Sequence, residues 1–185
     1  MARSRSSMIT RIFVDHGFNP GKNTKNADQF NRSGYWENQD LKRFARANRK
    51  PPYKAILSGD NPRLYEDVKD VLPSSPWVQK VDAFCWPAFK NHDCVVIKLK
   101  RRMVNILHSC LKTPFMNRQG YSTKEWGDII EAHFKELDAL PGYEIDTDEL
   151  VEGNDYPLKV AIEACGIKYQ KAITENVLSL PACGT

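Results

Sequence analysis

No stretch of this 185-residue chain is apolar for anything near the roughly 18 residues that a membrane-crossing helix requires. The opening MARSRSS is charged, and neither an apolar core nor a small-residue cleavage site follows it, so the sequence predicts a cytoplasmic protein without a membrane partner. Cysteine is sparse and unpatterned: Cys85, Cys94, Cys110, Cys165 and Cys183 make an odd set with no CxxC pair and no histidine at metal-ligand spacing. That argues against a disulfide scaffold and against a zinc centre, and it predicts reduced thiols. No GxSxG elbow is present, which disfavours a hydrolase. No GxxxxGK[ST] loop is present either. The run GFNPGKN at residues 17–23 has the wrong spacing and no hydroxyl after Lys22, and CVVIKLK ends in Lys100 where a magnesium-holding acid is wanted. ATP with magnesium is therefore disfavoured. His16, His92, His108 and His133 stand isolated from one another, and a satisfied or exposed role is the simpler reading of each.

What the chain does have is an ordinary globular composition, 41% hydrophobic and 27% charged, enough to bury a core and well away from the disordered corner. One domain over residues 1–185 is expected, with no internal repeat. The net charge of +4 conceals an asymmetry. Residues 1–118 carry 22 Lys and Arg against 10 acids, a net +12, and residues 119–185 carry 5 against 13, a net −8. A basic first part suggests a field for an anionic ligand, with the acidic part facing elsewhere.

Periodicity and punctuation then place the elements. A helix begins at the serine cluster of residues 4–7 and stops at Gly17; residues 18–36 form a long polar loop. Residues 37–50 read as a basic helix, 55–58 and 78–84 as short strands, and 62–72 as a helix opened by Pro62. DCVVIKLK at 93–100 is the clearest buried strand, followed by a helix from Arg101. A capping box from Ser122 to Glu125 opens the longest helix. Residues 143–151 read as a strand, 157–166 as a helix and 171–185 as a short helix and coil. Alternation of this kind predicts an α/β domain with a mainly parallel sheet.

Small and hydroxylated residues at a helix start supply free backbone N–H groups and the positive helix end, the local chemistry of phosphate binding. Arg3, Ser4, Arg5, Ser6 and Ser7 fit it, although Ser6 or Ser7 could equally be a plain helix cap. ARSRSSMITRIFVDHG resembles the phosphosulfate loop of the sulfotransferases that use 3′-phosphoadenosine 5′-phosphosulfate. The resemblance extends to their second motif, an apolar strand ending in arginine with a serine eight residues later, here Arg101 and Ser109. SGYWENQDL, WVQKVDAF and YEIDTDELV followed by CGI are similar, in order, to three further segments of the family.

The resemblance implies a three-layer P-loop-type α/β fold with a mainly parallel central sheet flanked by helices, and sulfuryl transfer to an acceptor hydroxyl, leaving adenosine 3′,5′-bisphosphate. It implies that Arg3, Ser4, Arg5, Ser6 and Ser7 cradle the 5′-phosphosulfate, that Arg101 and Ser109 hold the 3′-phosphate, that Glu37 is the base and that Lys80 steadies the bridging oxygen. No metal is implied. Two departures accompany it. Arg5 stands where the family has glycine, which narrows the backbone angles. No strand-forming segment precedes the loop, so either a misplaced start or a truncated chain is expected, with a weakened sheet edge. The residues alone leave other roles open: Glu37 capping the next helix or pairing with Lys42 or Arg43, and Lys80 as a surface strand lysine. Tyr35 and Trp36 could line an acceptor pocket, stack on adenine or simply pack. Two further readings stand beside the transferase: a P-loop nucleotide kinase-like protein, and a non-catalytic nucleotide- or nucleic-acid-binding module using KRFARANRK with Arg101 and Arg102. The expected acceptor is a small molecule or glycan, and the expected state a monomer or weak dimer.

Overall fold

The computed structural model describes residues 5–22, 24, 35–113, 116 and 118–180. Helices and strands mix along the chain, and among the described residues the sheet is one parallel pair, β1 (Ile97–Lys100) with β2 (Tyr143–Asp146), in register from Ile97 opposite Tyr143 to Lys100 opposite Asp146. Parallel strands need a long crossover. Two helices supply it: α5 (Met103–Lys112) and α6 (Thr123–Asp138). The capping box at α6 forms as expected, with Ser122 accepting from the Glu125 N–H and the Glu125 carboxylate accepting from the Ser122 N–H. At the start of β2 the chain needs a glycine: Gly142 has φ +112°, and a Cβ there would collide with the Val96 carbonyl that accepts the Tyr143 N–H.

The core has three parts. In the first, Ile9, Ile12 and Phe13 of α1 (Ser6–Asp15) pack with Ile145 of β2. Leu158 and Ile162 of a helix at Tyr156–Ala164 and Val177 of one at Lys171–Leu178 close the same cluster. In the second, Leu41 and Ala45 of α2 (Gln39–Asn48) pack on Leu64, Val68, Cys85 and Phe89, the last on the single-turn helix α4 (Trp86–Phe89). In the third, Trp126, Ile129 and Ile130 of α6 meet Ile106 and Cys110 of α5, with Tyr53, Ile56 and Leu57 of α3 (Pro52–Ser58) against them.

Three sequence expectations fail here. Residues 55–58 belong to α3, since Pro52 opens a helix and Gly59 ends it in the left-handed conformation. Residues 78–84 join no ladder: Trp77 makes an isolated bridge to Asn19, and Ala83–Cys85 is a 3-10 turn. Residues 62–72 form irregular chain with Leu64 and Val68 fully buried: the Asn61 and Asp67 side chains accept the N–H two residues on and turn the chain, and a single 3-10 turn follows at Lys69–Val71. The predicted strands at 93–100 and 143–151 are shorter than expected. The second gives way at once to a five-residue helix, Thr147–Val151, capped by Asp146. No described helix is long and apolar enough to cross a membrane.

Candidate functional site

The carboxyl ends of β1 and β2 and the N-terminus of α1 come together. Arg5 is the N-cap of α1, left-handed at φ 58°, with Ser6 and Ser7 as the first two helical residues, so neither serine is the cap. Arg3 and Ser4 lie outside the described residues. From Arg5 the guanidinium Nη1 donates to the Thr147 carbonyl at 2.6 Å and lies 2.8 Å from Asp148 Oδ1. Arg101, directly after β1, brings Nε to the same oxygen at 3.4 Å. The other oxygen, Oδ2, accepts from the Arg102 N–H at 3.0 Å and from Asn105 Nδ2 at 2.9 Å. These donors hold the Asp148 carboxyl below the usual carboxylate range despite its burial.

A second cluster meets the start of α1 at Ser7. The Lys80 side chain is 12% exposed, and its Nζ donates to Ser7 Oγ at 2.9 Å and to the Tyr35 carbonyl at 2.6 Å and forms an ion pair with Glu37 Oε1 at 3.3 Å. Lys42 Nζ takes the other oxygen of Glu37 at 2.6 Å. Burial lowers the Lys80 ammonium below its ordinary value, the Glu37 carboxylate pulling the other way. On Glu37 burial acts to raise the carboxyl, and the two lysines outweigh it, leaving it lowered. Among the described residues each cluster sets two cations against one carboxylate, although Asp146 adds some negative field at Arg5.

Several sequence readings are refined here. Lys80 is no surface lysine, and Glu37 is no helix cap: Asn38 caps α2 through Oδ1, while Glu37 pairs with Lys42 and Lys80. Ser109 is half-buried on α5, its carbonyl accepting from the Thr113 hydroxyl, and about 10 Å of helix rise separates it from the Arg102 cap. The acidic last third does not simply face elsewhere. Its Glu136, Asp138, Glu144, Asp148 and Glu152 pair with Arg63, Lys98, Lys100, Arg5, Arg101 and Arg102 of the basic part. The basic helix α2 and its flank are also neutralised, Arg43 by Asp40, Arg49 by Asp82 and Lys50 by Asp60.

Sequence reasoning missed Asp148 and Asn105, whereas Lys42 was named as an alternative partner of Glu37 and does pair with it. An acid just past a strand end is a faint signal for Asp148, and nothing in spacing marks Asn105. Among the described residues no group of His, Cys, Asp and Glu is arranged to hold a metal ion. No family model, curated protein or solved structure matches the chain.

Proposed function

We propose that this chain transfers a sulfuryl group from 3′-phosphoadenosine 5′-phosphosulfate to an acceptor hydroxyl. One observation carries the reading: Ser7, Glu37 and Lys80, drawn from three separate segments for three different roles, meet within hydrogen-bond distance at the start of α1. The residues present suit such a nucleotide. An α-helix of ten residues with no acid in its first turn points its positive end at the loop, and the flanking clusters carry cations in excess. Arg5, Ser6 and Ser7, with Arg3 and Ser4 before them, would hold the 5′-phosphosulfate, and Arg101 with Ser109 the 3′-phosphate. The reading carries with it the three-layer P-loop-type fold.

Bound there, the nucleotide supplies a sulfuryl group whose transfer proceeds through a loose transition state, so the protein's work is positioning and charge neutralisation. Lys80 keeps an ammonium against the Ser7 hydroxyl and so places positive charge at the loop. Glu37 is ionised at neutral pH, the state required for accepting an acceptor hydroxyl's proton. Its ion pairs lower its basicity, which suits a proton taken late in the reaction. The nucleic-acid-binding reading is weaker, because the cations of α2 that suggested it are largely paired within the chain.

Competition calorimetry tests the proposal: adenosine 3′,5′-bisphosphate is expected to bind in preference to ATP with magnesium. A preference for ATP, or binding to oligonucleotide that falls steeply with salt, would overturn it.

A further inference from the structure

We propose that Asp148 is a positioning residue for the α1 loop: its carboxylate holds Arg5 in the left-handed conformation and thereby sets the Arg5 and Arg101 guanidiniums side by side as one anion-receiving pair. The sulfuryl-transfer reading enters only through the identity of the anion.

A residue with a Cβ at φ 58° is unfavourable, and glycine is the ordinary occupant of such a position. Arg5 occupies it at the N-cap of α1, where no side chain caps the helix. What compensates is the arginine's own side chain, which reaches across 142 residues of sequence to the Thr147 carbonyl and to Asp148. The post it grips is rigid. Asp148 has a side chain only 6% exposed and is fixed from the sheet side by the Arg102 N–H and Asn105, while the Thr147 hydroxyl donates to the Lys100 carbonyl at 3.0 Å. Two guanidiniums on one carboxylate oxygen would repel without it. Burial, and then that repulsion, lower the Arg5 guanidinium, and Asp148 opposes both. Arginine in a left-handed conformation that favours glycine is thus balanced by an acid beyond the far strand end.

The amides of Met8 and Ile9, which both donate to the Arg5 carbonyl, report directly on this turn. Hydrogen exchange at these two amides is compared in the native chain, Asp148→Asn, Arg5→Gly and the double variant, alongside binding of adenosine 3′,5′-bisphosphate. Asp148→Asn is expected to speed exchange about tenfold in the native background and to change it little once Arg5→Gly is in place, because glycine holds the conformation unaided. Nucleotide binding by Asp148→Asn is expected to weaken about tenfold. Equal acceleration in both backgrounds, or unchanged affinity in a chain that binds, would overturn the proposal. Should Asp148→Asn not fold, Arg5→Gly is expected to keep protection that Arg5→Ala loses, and equal loss in the two would overturn it. A native chain that ignores the nucleotide overturns the sulfuryl-transfer reading instead, and the exchange comparison still decides this one.

Discussion

Asp82 and Asp148 both receive arginine, and they do so in different ways. Asp82 takes a bidentate grip from Arg49, with Nη1 to Oδ1 at 2.9 Å, and Arg49 spends a further proton on the Pro62 carbonyl. Among the described residues one arginine meets one aspartate, the Arg49 side chain is 8% exposed, and His133 and Cys85 lie close by. Asp148 instead divides one oxygen between Arg5 and Arg101, as Glu37 divides its two between Lys80 and Lys42. A closed pair adds nothing to the field outside it, whereas a two-to-one cluster leaves positive charge for a ligand to meet. The two regions are thus built from the same residue types and differ in stoichiometry.

The largest effect is expected on the closed side. Asp82→Asn leaves a buried guanidinium without its counter-charge, and urea unfolding is expected to show a loss of about 3–5 kcal/mol. A cost near that of an exposed pair, well under 1 kcal/mol, would remove the distinction between the regions.

Next comes pH. His133 is wholly buried, donates through Nδ1 to the Ile129 carbonyl and leaves Nε2 without a partner among the described residues. Burial pushes it down to about 4 from an ordinary 6.5. Between those values the unfolded chain holds a proton the folded chain refuses, so stability falls as pH drops through this window, by about 3 kcal/mol in all. In His133→Phe the slope of unfolding free energy against pH between 6.5 and 4 is expected to flatten. Glu37 and Asp148, with lowered values, contribute stability that is complete above about pH 4 and lost below it. The closed region thus weakens first on acidification, and the same slope in native and variant chains would contradict that order.

The smallest effect on stability and the sharper one on function belong to the open side. Lys80→Ala leaves Glu37 its pair with Lys42, so unfolding should move by only about 1 kcal/mol, while affinity for adenosine 3′,5′-bisphosphate is expected to fall about tenfold. The reverse pattern would make Lys80 a packing residue.

How far the sequence foretold this follows the same physical division. Helices with a 3.6-residue stripe and a local start or stop signal, such as α6 after the Ser122 cap and α1 before Gly17, are legible because the signal is local. Residues 62–72 and 78–84 misled because their apolar side chains serve the tertiary packing of irregular chain, around Leu64, Val68 and Phe84, without any periodic partner. At the site, Ser7, Glu37 and Lys80 were named through segments that resemble those of the sulfotransferases, while the residues alone left a helix cap, a pair with Lys42 or Arg43 and a surface lysine equally open. Asp148 was not named, since a carboxylate's partners 47 and 143 positions away leave no mark in the residues around it. The basic and acidic halves misled for the same reason: net charge along a chain says nothing of which charges fold onto each other.

The central claim is that the excess of cations at the start of α1 receives a bisphosphorylated nucleotide. Two-dimensional NMR of the native protein titrated with adenosine 3′,5′-bisphosphate tests it most directly. The account predicts amide shifts at Ser6, Ser7, Lys80 and Arg101 that saturate together, with none at Asp82 or His133. Shifts confined to the Arg43 and Arg46 face of α2, or none at millimolar nucleotide, would contradict it.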